Sequence, residues 1–125
     1  MTKIFRVILP VTDIDAAAAF YGTLFAQTGK RVSPGRHYFD CGGVILACFD
    51  PIRDGDKFEA KPNPDHVYFA VNDIDAMLER AKGLGCREID QWIAVQPWGE
   101  RSFYAKDPFG NPICFVQEGT EFRGE

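Results

Sequence analysis

Imidazoles and thiols, the side chains best suited to acid–base, nucleophilic or soft-metal chemistry near neutral pH, are few in this sequence. The chain has two histidines, His37 and His66, and four cysteines, Cys41, Cys48, Cys86 and Cys114. A neutral imidazole can ligate a metal or take a proton, and a thiolate can ligate or attack. The cysteines lack the close Cys-x-x-Cys spacing of a zinc site or a redox dithiol, so they read as free thiols. Cys41 and Cys48 lie in strand-like runs, where reduced cysteine behaves as a small apolar residue. Arg6 is a permanent cation without a lone pair; it suits an anionic or carbonyl-bearing ligand and would repel a metal ion. Trp98, in Pro97-Trp98-Gly99-Glu100, offers an indole that can stack on a planar ligand or simply cover the core.

An internal repeat positions these residues. Val7-Ile8-Leu9-Pro10-Val11-Thr12-Asp13-Ile14-Asp15-Ala16 returns 60 positions later as Val67-Tyr68-Phe69-Ala70-Val71-Asn72-Asp73-Ile74-Asp75-Ala76. Each copy reads as a strand, then an Asp that caps a helix and a second Asp in its first turn. Ile14, Ala17, Ala18, Tyr21, Leu24 and Phe25 form one helical stripe, ending before Gly29. Ile74, Met77, Leu78, Ala81 and Leu84 form the other, with Gly83 and Gly85 as its stop. Such stripes pack on a sheet. The halves also end alike: Arg36-His37-Tyr38-Phe39 answers Arg101-Ser102-Phe103-Tyr104, and turns at Asp40–Gly43 and Lys106–Asn111 lead into last strands at 44–49 and 112–117. The reading is a single 125-residue α+β domain with module one over 1–50, a linker over 51–64 with three prolines, and module two over 65–125.

Composition narrows the partners. Apolar residues make up 46% of the chain and aromatics 14%, with 11 phenylalanines, which excludes disorder and predicts a ring-rich core or cavity. The formal charge is −4 and the basic residues are scattered, so nucleic acid is not an expected partner. No apolar run approaches the roughly 20 residues needed to cross a bilayer, and the first residues enter a strand without an apolar leader, so neither a membrane partner nor export is expected and the expected compartment is the cytoplasm.

The tandem β-α-β-β-β pair, with Asp-capped helices, Phe20-Tyr21 and the stretch Trp98-Gly99-Glu100-Arg101-Ser102-Phe103-Tyr104-Ala105-Lys106-Asp107-Pro108-Phe109-Gly110-Asn111, resembles the vicinal-oxygen-chelate superfamily: glyoxalases, extradiol dioxygenases and bleomycin-resistance proteins. The resemblance covers nearly the whole chain. It implies two modules whose curved sheets form a cleft, completed in a homodimer. In the superfamily's metal enzymes, first and last strands supply ligands to a divalent ion. Here the matching positions are His66 in module two, Arg6 in module one, Cys114 where a Glu is expected, and Leu46 or Ala47, with Cys48 one step further. This donor set lacks carboxylates, and no metal or other cofactor is expected.

Strand alternation places Arg6, Ile8 and Pro10 on one face, and His66, Tyr68 and Ala70 on the corresponding face. The resemblance makes these the cleft faces, joined by Cys114 and Val116, by Trp98, and by third-strand residues: His37 and Phe39 from module one, or Ser102 and Tyr104 from module two. The expected ligand-binding residues are therefore Arg6, His37, Phe39, His66, Tyr68, Trp98, Tyr104 and Cys114, with no catalytic residue assigned. Three functions compete. The first is a metal-free protein, like the bleomycin-resistance branch, that sequesters a planar small molecule. The second is a metal-dependent glyoxalase-like lyase, isomerase or dioxygenase. The third is a metal-free enzyme using His66 as base and Cys114 as nucleophile.

Overall fold

The computed structural model describes residues 1–124. The chain forms two compact units, Met1–Asn63 and a second that begins at Pro64. Unit one contains β1 (Arg6–Pro10), α1 (Ile14–Phe25), β2 (Lys30–Ser33), β3 (Arg36–Cys41) and β4 (Val44–Phe49). Unit two contains β5 (Val67–Val71), α2 (Ile74–Lys82), β6 (Glu88–Ile89), β7 (Ala94–Val95), β8 (Arg101–Lys106) and β9 (Pro112–Gln117). Both sheets have the same order, β1-β4-β3-β2 and β5-β9-β8-β6, with β7 also on β8. The first and last strands of each unit pair in parallel and the rest antiparallel. The fold is thus α+β with two mixed, open sheets, and no helix among the described residues is long and apolar enough to cross a membrane.

The repeat is visible in the helix starts. Asp13 and Asp73 each accept the N–H three residues on, from Ala16 and Ala76, at 3.1 Å. Each first helical N–H is taken by the end of the last strand: Ile14 N–H donates to Asp50 Oδ2 at 3.2 Å and Ile74 N–H to Gln117 Oε1 at 3.1 Å. Each helix is therefore fastened to the far end of its own sheet. The stripes bury Ile14, Ala17, Phe20, Tyr21 and Leu24 in α1, and Ile74, Met77, Leu78 and Ala81 in α2. Ala18, Phe25 and Leu84, also in the expected stripes, are only half-buried.

Part of the aromatic content goes into these cores. Phe20, Tyr21, Phe25 and Phe39 form a chain of ring contacts at 4.7, 5.5 and 5.7 Å, and Phe69, Phe115 and Phe103 stack at 5.2 and 5.1 Å. Such contacts stabilise by roughly 0.5–1.5 kcal/mol each beyond the buried area.

Three details refine the expected elements. First, α1 stops at Phe25, ahead of Gly29 as expected, and the stop is made by Ala26, which turns into the left-handed region at φ 53° and whose N–H closes back on the last turn. Gly29, at φ 67°, serves the start of β2 instead: a Cβ there would lie 2.7 Å from both His37 Nε2 and Phe39 Cε1. Second, the edge of the second sheet is broken into two short strands. Asp90 interrupts it by accepting the Tyr104 N–H on its carboxylate at 2.9 Å while its own N–H donates to the Tyr104 carbonyl. Third, the start of the segment after β4 is tied down within unit one. The Asp54 and Asp56 N–H groups close turns on Asp50 and Pro51, and the Asp54 carboxylate accepts from Gly35 N–H at 3.0 Å and Arg36 Nε at 3.2 Å. The neighbouring Ser33 hydroxyl, and after it the Gly35 N–H and the Arg36 guanidinium, hold the Asp54 carboxyl below the usual carboxylate range.

Candidate functional site

Strand register decides which side chains share a face, because directly paired residues point the same way. In unit two, Tyr68 pairs with Cys114 and Cys114 with Tyr104; Ala70 pairs with Val116 and Val116 with Ser102. The face away from the Phe103–Phe115 stack therefore carries Tyr68, Tyr104, Cys114, Ser102, Ala70 and Val116. His66, one residue before β5, joins it: its ring lies 5.1 Å from Tyr104 and 6.1 Å from Tyr68, and the two tyrosine rings are 6.5 Å apart. Four expected site residues, His66, Tyr68, Tyr104 and Cys114, thus form one cluster.

Cys114 is fully buried in this cluster. Burial pushes its thiol up to about 12, against the opposing hydrogen bonds of Tyr104 and Ser102. Burial, followed by the neighbouring Cys114, likewise pushes Tyr104 up to about 12. Ser102 in turn accepts from Gln96 Nε2 at 3.1 Å. At neutral pH the Tyr104 hydroxyl and the Cys114 thiol keep their protons, so with Ser102 they donate and accept hydrogen bonds and supply no nucleophilic thiolate.

Beside it lies a depression of about 470 Å³. Its floor is Ala70 and Val116, and its walls are Tyr68, Trp98 and the tail residues Glu121, Phe122 and Arg123. Trp98 is held at a tight turn between β7 and β8: Gly99 N–H donates to the Gln96 carbonyl at 2.8 Å, with Gly99 at φ 95°. Glu100 fastens both walls. One carboxylate oxygen accepts the Trp98 indole N–H at 2.8 Å and the other the Phe122 backbone N–H at 2.9 Å. Tyr68, Trp98 and Phe122 keep about half their surface exposed, at 56%, 47% and 52%.

In unit one the register gives a different result from the expected one. Ile8 pairs with Ala47 and Ala47 with Tyr38, whereas Leu9 pairs with Cys48 and Cys48 with His37. Tyr38 therefore shares the face of Arg6, while His37 and Phe39 point to the side of α1. Both are buried; His37 contacts the Phe39 ring at 5.1 Å, and its Nε2 donates to the Thr28 carbonyl at 2.9 Å while its Nδ1 accepts from Arg31 Nε at 3.3 Å. These are core and scaffold roles. Arg6 is exposed, with its guanidinium 4.8 Å from the Phe5 ring centre and 5.4 Å from that of Tyr38.

The Asp107–Asn111 turn is structural. The fully buried Asp107 carboxylate accepts from Phe109 N–H at 2.9 Å, Asn111 N–H at 2.8 Å and Asn111 Nδ2 at 3.1 Å.

Residues 3–115 match the Glyoxalase/Bleomycin resistance protein/Dioxygenase superfamily. The chain belongs to this superfamily. It is 28% identical to the Bacillus subtilis (strain 168) protein YwbC over 120 residues, covering 86% of this chain and 90% of that protein. It is 30% identical to the anthracycline biosynthesis protein DauV of Streptomyces sp. (strain C5) over 130 residues, covering 90% of this chain and 47% of DauV, about half that relative's length. Among solved structures, a glyoxalase/bleomycin resistance protein/dioxygenase from Nocardioides superposes with a TM-score of 0.71 at 27% identity, covering 100% of this chain and 89% of that one.

The superfamily's divalent ion does not fit the donors present. The last-strand positions carry Cys114, a buried protonated thiol, and Ala47, the partner of Ile8 in the register by which Cys114 partners Tyr68. The first-strand positions carry His66 and Arg6, the latter without a lone pair. Within either unit, no group of three or more His, Cys, Asp or Glu among the described residues is arranged to hold a metal ion.

The residues that the sequence reading missed are Tyr38, Glu100, Glu121 and Phe122. A signal existed for two of them: Glu100 lies two positions from Trp98, and Phe122 is a lone ring in a polar tail.

Proposed function

We propose that this protein binds a planar, partly polar small molecule in the unit-two depression without the help of a metal ion, as a sequestering or carrier protein. The observation that carries the reading is the depression itself: three half-exposed rings around an Ala70–Val116 floor, next to a row of neutral hydrogen-bonding groups. Rings supply contact area at low entropy cost, and the Tyr68, Tyr104 and Ser102 hydroxyls can orient a ligand's oxygens. The thiol in place of the usual carboxylate supports binding over Lewis-acid chemistry. The similarity to DauV, an anthracycline biosynthesis protein, supports a fused-ring ligand. The proposed protein is a homodimer, in keeping with the resemblance that its modules carry.

The test is titration with fused-ring compounds of the anthraquinone and anthracycline type in chelator-treated buffer, read by tryptophan fluorescence and thermal shift. Saturable binding that raises the melting temperature, and that Trp98→Ala weakens by about tenfold, is expected. A panel without any saturable binder would overturn the reading.

A further inference from the structure

The depression carries more negative than positive charge, and this bears on the ligand's class. Glu100 and Glu121 both line it, against one cation, Arg123. Each Glu100 oxygen takes one N–H, from Trp98 or Phe122, which leaves each a further lone pair. Glu121 accepts the Gly119 N–H, and backbone donors hold its carboxyl below the usual range, so it is an anion at neutral pH. Arg123 offsets them weakly: it sits 3.9 Å from Glu121 and is 74% exposed. Two carboxylates alone would be an ordinary solvated surface. Here they stand around a cavity walled by the rings of Tyr68, Trp98 and Phe122, whose faces also attract positive charge.

We infer that the preferred ligand is a planar aromatic cation, a ring system bearing a protonated amine, with its rings against Trp98 and Phe122 and its charge toward Glu100 and Glu121. This rests on the binding site proposed above and specifies its ligand. Arg6, which had pointed to an anionic ligand, lies in unit one and lines no part of this depression.

Three probes share one ring skeleton and differ in charge: 9-aminoacridine as cation, acridone as neutral compound and acridine-9-carboxylate as anion. At low salt and pH 7 the cation should bind about tenfold more tightly than the neutral probe, and the anion more weakly than either, with the preference shrinking at high salt. Glu121→Gln keeps the acceptor for Gly119 N–H and removes the charge. It should weaken the cation several-fold and the neutral probe far less, whereas a purely structural loss would weaken both alike. Equal affinities, or preference for the anion, would overturn the cation assignment while leaving the binding site standing. Failure of all three probes to bind would overturn both.

Discussion

Raising the pH should destabilise the folded chain through Cys114, and the size of the effect can be worked out. A thiol in the unfolded chain has its ordinary value of 9.0, whereas burial holds Cys114 at about 12 in the fold. Between these values the unfolded chain has released a proton that the folded chain still binds. Stability therefore falls as pH rises: it is fully present below about pH 8, and is lost progressively from pH 9 toward pH 12. At pH 10 the loss attributable to this thiol is on the order of 1 kcal/mol, one pH unit's worth of proton linkage. The comparison is wild type against Cys114→Ala by urea unfolding at pH 8 and pH 10. The variant starts lower at pH 8, since it loses packing and a partner for Tyr104 and Ser102, but it should lose on the order of 1 kcal/mol less between the two pH values. Cys41, pushed up by burial to about 11, and Cys86, also raised, contribute a common slope that the difference removes, while Tyr104, raised in part by Cys114, relaxes with it and belongs to the same effect. Equal pH slopes for the two proteins would refute the claim that this position holds a buried, protonated thiol.

Other perturbations reach the scaffold and the assembly. Asp107→Ala orphans two buried backbone donors and the Asn111 amide, and should cost roughly 3–5 kcal/mol in chemical denaturation; a loss under 1 kcal/mol would show that the turn holds without its carboxylate. Gly35→Ala places a Cβ 2.2 Å from the Asp50 carbonyl and 2.7 Å from the Asp54 nitrogen, both backbone atoms. Its melting temperature should drop by several degrees, on the order of 2 kcal/mol or more. Asp50→Ala removes acceptors from the Ile14 and Arg53 N–H groups, so it should cost about 1–2 kcal/mol and speed proteolytic cleavage after Pro51. Sedimentation at micromolar concentration should give a dimer; a monomer would contradict that part of the proposal.

The repeat, the capped helices and the last strands were readable because they rest on local signals: helical spacing, an Asp before Ile, glycine turns between apolar runs. Facing was readable only where the register between distant strands happened to be guessed correctly. Setting Phe39 against Tyr104 puts His37 and Phe39 beside Arg6. In the structure Tyr38 is the counterpart of Tyr104, since Tyr38 pairs with Ala47 as Tyr104 pairs with Cys114. A slip of one residue reverses every side chain in a strand, and the turns before β4 and β9 differ in length, so the shift between copies changes along the chain. The depression was hidden for another reason. Its walls come from a turn and a tail, Trp98 and Phe122, brought together by Glu100, and no periodicity encodes a contact of that kind.

The most direct test of metal-independent binding is calorimetric titration of chelator-treated protein with 9-aminoacridine, repeated after adding zinc, nickel or ferrous iron. The account predicts saturable binding whose affinity is the same with and without the ion. Binding that appears only when an ion is present would contradict it, and would mean that donors from this chain assemble a metal site despite Arg6 and Cys114.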